Sequence, residues 1–141
     1  MKNYRVFDHT ADLGIEILGQ TQADLFSHAA MALSDLLVEE VDVRKTASTE
    51  TRTLVIDGAD SPDLFVNFLR EILYLFNGEG LVLTVCRIAQ IDAGRLTADI
   101  RCCRYDARKH RVKKEIKAVT YHQAAVVKTA KGWQGRVIFD V

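Results

Sequence analysis

The residues that could do chemistry begin at Asp8. Asp8-His9-Thr10-Ala11-Asp12 places two carboxylates and an imidazole within five residues. Runs rich in Tyr, Val, Phe and Ile flank it, so residues 9–13 read as a loop held by strands, where functional sites are often built. A hard cation such as Ca²⁺ or Mg²⁺ gathers several oxygen ligands, and Asp8 and Asp12 are donors of that kind. The same residues also form Asx-turns, in which a carboxylate bonds its own backbone. His9 taken alone is as well explained by packing as by ligation, and both readings stand at this point.

A second feature closes the chain. Val137-Ile138-Phe139-Asp140-Val141 sets Asp140 one residue before a terminal carboxylate, at the end of an apolar strand. Burying those charges uncompensated is costly, so a central strand would need a cation or a lysine beside them. A frayed strand would need neither. The third feature is the basic segment 101–117, with Arg101, Arg104, Arg108, Lys109, His110, Arg111, Lys113, Lys114 and Lys117 against the acids Asp106 and Glu115. It offers charge for RNA phosphates or an acidic protein face, and it suits a solvated loop equally well. Tyr105 is its only aromatic, thin for base stacking. Phosphate-loop, dinucleotide, zinc-protease and nucleophile-elbow motifs are absent, and Ser27, Ser34, Ser48 and Ser61 lack a histidine–carboxylate pattern. Nothing here reads as a self-sufficient catalyst.

Two helices and about seven strands must position these groups. Residues 4–8 and 14–18 favour strands. Thr21 with Asp24 is a variant capping box opening a helix over about 22–38, with Leu25, Phe26, Ala29 and Leu33 at helical spacing. Residues 51–57 alternate as a strand ended by Asp57-Gly58. Ser61-Pro62 then reads as an N-cap with proline at the first helical position, and Leu64, Phe65, Phe68, Leu69 and Ile72 form a stripe that closes at Asn77-Gly78. Residues 81–91 and 95–104 pair through Asp92-Ala93-Gly94, and 116–128 with 133–141 make a second hairpin. The expectation is an α+β fold, a two-layer sandwich with two amphipathic helices packed on one face of a mixed β-sheet of about seven strands.

Size and charge agree with that architecture. A chain of 141 residues, 48% hydrophobic and 27% charged, is expected to form a single domain over 1–141. Nineteen basic and nineteen acidic residues cancel, so binding to nucleic acid or an acidic membrane would need a local patch. Three cysteines without C-x-x-C spacing point to a reducing compartment. Charges among the first residues argue against a signal peptide, and no run approaches the ~20 apolar residues that span a bilayer. A soluble, cytoplasmic protein with no membrane partner is expected; the oligomeric state is left open.

The residues Phe7-Asp8-His9-Thr10-Ala11-Asp12-Leu13-Gly14-Ile15-Glu16, then Glu115-Ile116-Lys117-Ala118-Val119-Thr120-Tyr121-His122, then Gly132-Trp133 through Phe139-Asp140-Val141, resemble the archease family in order and distance over essentially the whole chain. The resemblance implies an accessory protein, not an enzyme: a cofactor of RtcB-type RNA ligases, which join RNA ends in tRNA splicing and RNA repair. Family members help the ligase become guanylylated with GTP and turn over repeatedly. It further implies a divalent-metal site, assigned as Ca²⁺ with Mg²⁺ or Mn²⁺ as alternatives, held by the positions that are here Asp12, Asp140 and Val141. Lys117, from the K-A-x-T-Y motif, is implied as a functional residue, while Asp8, His9 and His122 would stand behind the ligands. RNA contact would be indirect. The basic stretch 108–114 matches no family feature. Alternatives of other classes are a general protein chaperone or adaptor, and a direct RNA-binding module using the basic 101–117 segment.

Overall fold

The computed structural model describes residues 3–9, 12–40 and 49–141, the side chains of Asp8 and His9 excepted. Along these residues run β1 (Tyr4–His9), β2 (Asp12–Gly19), α1 (Gln22–Leu37), β3 (Val38–Glu40), β4 (Thr49–Asp57), α2 (Ser61–Glu79), β5 (Leu81–Ile91), β6 (Arg95–Arg104), β7 (His110–Val112), β8 (Ala118–Thr129) and β9 (Gly132–Asp140). The α+β expectation holds, with two amphipathic helices packed on β-sheet. The strands divide among three sheets, ordered β1-β2-β9-β8, β4-β6-β5 and β3-β7. Every described pairing is antiparallel. The strands that patterning missed, β3 and β7, are three residues each, too short to display a period of two.

Both helices begin with a side-chain cap. Thr21 Oγ1 accepts the Asp24 N–H at 3.0 Å. The cap of α2 lies one residue earlier than expected: Asp60 Oδ1 accepts the Asp63 N–H at 2.9 Å, which makes Ser61 the first helical residue. A short side chain accepting from the third helical N–H satisfies one of the donors every helix start leaves open. The helix also runs through Asn77-Gly78 and stops at Gly80, whose φ of 68° is left-handed backbone that glycine adopts without cost.

The core lies where the helices meet the sheets. α1 packs on β2 and β5, and α2 on β8, β4 and β5. Phe26 meets Phe65 edge-on at 5.0 Å between ring centroids and Phe68 at 6.0 Å. Each fully buried side chain of this size contributes roughly 1.5–3 kcal/mol. On β2, Leu13, Ile15 and Ile17 are buried on the helix side, as are Val137 and Phe139 on β9. Strand alternation therefore turns Asp12, Glu16, Arg136 and Asp140 to the opposite face.

Candidate metal centre

The β2–β9 ladder sets Asp12 directly opposite Asp140. Directly opposed residues in an antiparallel pair share a face, with Cβ atoms ~4.5–5.5 Å apart. β1 pairs His9 with Asp12, and β8 pairs Ala118 with Asp140, so these four positions form one row across the end of the sheet. Asp12 is half-buried and Asp140 exposed. Val141 packs partly against the core, which secures the end of β9 next to Asp140. The N-terminal segment is tighter than the expected 9–13 loop: His9 and Asp12 are ladder partners, because the register carries pairing to the hairpin's tip. Thr10 and Ala11 of the H-T-A-D motif lie outside the described residues, as do the side chains of Asp8 and His9.

Charge singles this rung out. Opposed charges elsewhere differ in sign, at Arg5 with Glu16, Glu16 with Arg136, Glu39 with Arg111, Asp57 with Arg95, and Arg87 with Asp99. Among the described residues, Asp12 with Asp140 is the one like-charge rung. Like charges directly opposite destabilise a sheet, and a cation between them turns that repulsion into attraction. Carboxylate oxygens suit Ca²⁺, Mg²⁺ and Mn²⁺. No group of three or more His, Cys, Asp or Glu side chains gathers among the described residues, so a cation held here would complete its shell with main-chain oxygen or water.

Lys117 stands beside the rung. Its backbone N–H donates to the Asp140 carbonyl at 2.8 Å, and its side chain is exposed. Helix α2 fixes this stretch from behind. Asn77 Nδ2 donates to the Ile116 carbonyl at 3.0 Å, Ile116 being fully buried, and Arg70 Nε donates to the Val119 carbonyl at 3.0 Å. The order of elements therefore brings residues from both ends of the chain and from the start of β8 to one edge.

The Archease protein family (MTH1598/TM1083) matches residues 4–141. The chain belongs to the archease family. It is 33% identical over 144 residues to protein archease of Methanosarcina barkeri, covering 99% of this chain and 97% of that one. It is 34% identical over 145 residues to protein archease of Pyrococcus abyssi, covering 100% of both. The solution structure of Methanobacterium thermoautotrophicum protein 1598 aligns with a TM-score of 0.77 at 24% identity over 100% of both chains. The crystal structure of an archease, possible chaperone, from Thermotoga maritima aligns with a TM-score of 0.65 at 24% identity, over 96% of this chain and 94% of that one. These two likenesses show the shared archease fold.

Much of the K-A-x-T-Y signature holds the fold around the site. Thr120 Oγ1 donates to the Ile138 carbonyl at 2.9 Å. The Tyr121 hydroxyl donates to Asn67 Oδ1 at 3.0 Å, and the Arg70 guanidinium lies 4.4 Å from the Tyr121 ring centroid. Beyond Thr120 the β8 register shifts until Ala125 meets Arg136. Gln123 within that shift has φ of 57° and accepts from Arg136 at 3.0 Å. His122 lies in the same irregular stretch. Residue spacing carried no sign of it.

Part of the basic segment is tied into the fold or paired with acids. His110 is buried; its Nδ1 accepts the Asp106 N–H at 3.0 Å, and its Nε2 lies 3.8 Å from Cys103 Sγ. Arg104 donates to the Glu79 carbonyl at 3.2 Å, Arg108 pairs with Asp106 at 3.5 Å, and Lys113 approaches Asp35 at 4.0 Å. Among the described residues no helix is long and apolar enough to cross a membrane.

Proposed function

We propose that the protein is an accessory factor of an RtcB-type RNA ligase, promoting ligase guanylylation with GTP and repeated RNA joining in tRNA splicing or repair without itself being the catalyst. Family membership supports the partner, and the like-charge rung of Asp12 and Asp140 supports the chemistry. A bound divalent ion, Ca²⁺ first with Mg²⁺ or Mn²⁺ as substitutes, would supply concentrated positive charge at the sheet edge. Asp12 and Asp140 hold it from two strands, and main-chain oxygen at Val141 adds a third donor. Nucleotidyl transfer responds chiefly to placement and electrostatics, so a rigid edge that presents such a site to the ligase can accelerate it. Lys117, exposed next to Asp140, neutralises phosphate charge or pairs with a ligase carboxylate.

Guanylylation of a cognate ligase, with and without this protein at limiting metal, tests the reading. Asp12→Ala and Asp140→Ala are expected to return the rate to that of ligase alone; stimulation equal to the parent's would refute the metal-placement idea. The T. maritima relative is described as a possible chaperone. A general chaperone would instead suppress aggregation of unrelated clients with both aspartates replaced.

A further inference from the structure

A groove of about 690 Å³ lies at the far end of the ladder that carries the aspartates. It opens between the β2–α1 turn and the β8–β9 turn, lined by Leu18, Asp24, His28, Lys131, Trp133 and Gln134 among others. Leu18 pairs with Gln134 six rungs from the Asp12–Asp140 pair, roughly 20 Å away at a strand's rise per residue. The two sites are therefore separate.

The groove's walls are fixed by short contacts. Gly132 has φ of 139°, and a Cβ there would lie 2.6 Å from the Gly19 carbonyl oxygen, so the two turns meet only because this residue is glycine. His28 Nδ1 lies 2.7 Å from the Leu18 carbonyl oxygen. A carbonyl only accepts, so Nδ1 carries the hydrogen and the neutral ring keeps Nε2 as an acceptor. Asp24 lies one helical turn before His28 on the same face of α1. Trp133 is half-buried against the core, which holds its ring in place.

These groups narrow the ligand's chemistry. A purely apolar guest would strip water from the Asp24 carboxylate and the Lys131 ammonium without replacing it. A simple anion would use Lys131, face Asp24 and leave the indole idle. A ring with N–H donors on its edge and a phosphate attached satisfies the charged and aromatic groups together: stacking on Trp133, donating to Asp24 and His28, and placing its charge at Lys131. The volume lies within the few hundred to about 1,000 Å³ of small-molecule sites.

We propose that this groove binds a nucleobase together with its adjoining phosphate. The base could come from a free mononucleotide or from unpaired RNA, and the proposal does not depend on the ligase reading. Trp133 is the only tryptophan in the chain, so its single indole N–H resonance reports the groove directly. Guanosine and adenosine monophosphate, a short single-stranded RNA and ribose 5-phosphate are titrated in turn. At least one base-bearing probe is expected to shift that resonance saturably, with ribose 5-phosphate leaving it in place. Saturation by a mononucleotide identifies free nucleotide as the source; saturation by the RNA alone identifies an unpaired base. Asp24→Asn and Lys131→Ala, each folded by the remainder of its spectrum, are expected to weaken binding by about tenfold or more, some 1.4 kcal/mol each. The proposal is overturned if no base-bearing probe shifts the resonance, if ribose 5-phosphate shifts it equally, or if both variants bind as the parent does.

Discussion

Two rungs of the same ladder, four residues apart on one face of β2 and β9, are built on opposite electrostatic plans. At the first, Glu16 opposes Arg136, whose Nη1 donates to Glu16 Oε2 at 3.1 Å while Arg5 donates to the other carboxylate oxygen. The Arg136 guanidinium also lies 4.1 Å from the Phe7 ring centroid. At the second, Asp12 opposes Asp140, and both carry the same sign. The first rung is closed by the chain's own arginines. The second sets two carboxylates of one sign opposite each other, where the proposed ion would sit, and on that reading one ladder uses the same cross-strand geometry for cohesion at one rung and for binding at another.

The largest separation is expected in function. Asp140→Ala should reduce stimulation of ligase guanylylation to the level of ligase alone, while Arg136→Ala, assayed where it remains folded, should keep most of it. Stability should then divide the rungs the other way. Arg136→Ala loses an ion pair and a cation–aromatic contact and is expected to cost about 1 kcal/mol in urea unfolding, whereas Asp140→Ala measured with chelator should cost nothing or stabilise. Asp140→Lys would give the second rung the sign pattern of the first. In chelator it should gain about 0.5 kcal/mol, and its melting temperature should no longer rise with added Ca²⁺.

The smallest effect concerns acid stability at another closed rung. Arg95 Nε donates to Asp57 Oδ1 at 2.5 Å, and that bond holds the Asp57 pKa below the ordinary carboxylate value. The folded value lies below the unfolded one, so this pair's contribution is complete above about pH 4 and fades as pH falls through the depressed value. Asp57→Asn should therefore lower the melting temperature slightly near neutrality and lose that difference in strong acid. Melting curves across the acid range check it.

Local features of the fold were legible and long-range ones were not. Thr21 announced α1, and the β5–β6 turn formed as its residues suggest, with Asp92 Oδ1 accepting the Gly94 and Arg95 N–H groups at 2.9 Å each. Asp60 displaced Ser61 as a cap because both are good acceptors and spacing alone ranks them equally. β7 stayed hidden because its pairing with β3 joins residues about seventy positions apart, and nothing in His110-Arg111-Val112 marks a buried histidine. The site divides likewise. Asp12 and Asp140 each drew notice by type, but their opposition depends on β9 returning beside β2, which residue spacing does not encode and which only the family resemblance anticipated. The clasp of Asn67 and Arg70 on Tyr121, and the Asn77 bond behind Lys117, required coordinates.

Calorimetric titration of Ca²⁺ into the parent protein, Asp12→Asn, Asp140→Asn and Glu16→Gln tests the central claim most directly. The account predicts saturable binding of one ion to the parent and to Glu16→Gln, and its loss in both aspartate variants. Equal binding by all four proteins, or none by the parent with Ca²⁺, Mg²⁺ or Mn²⁺, would contradict it.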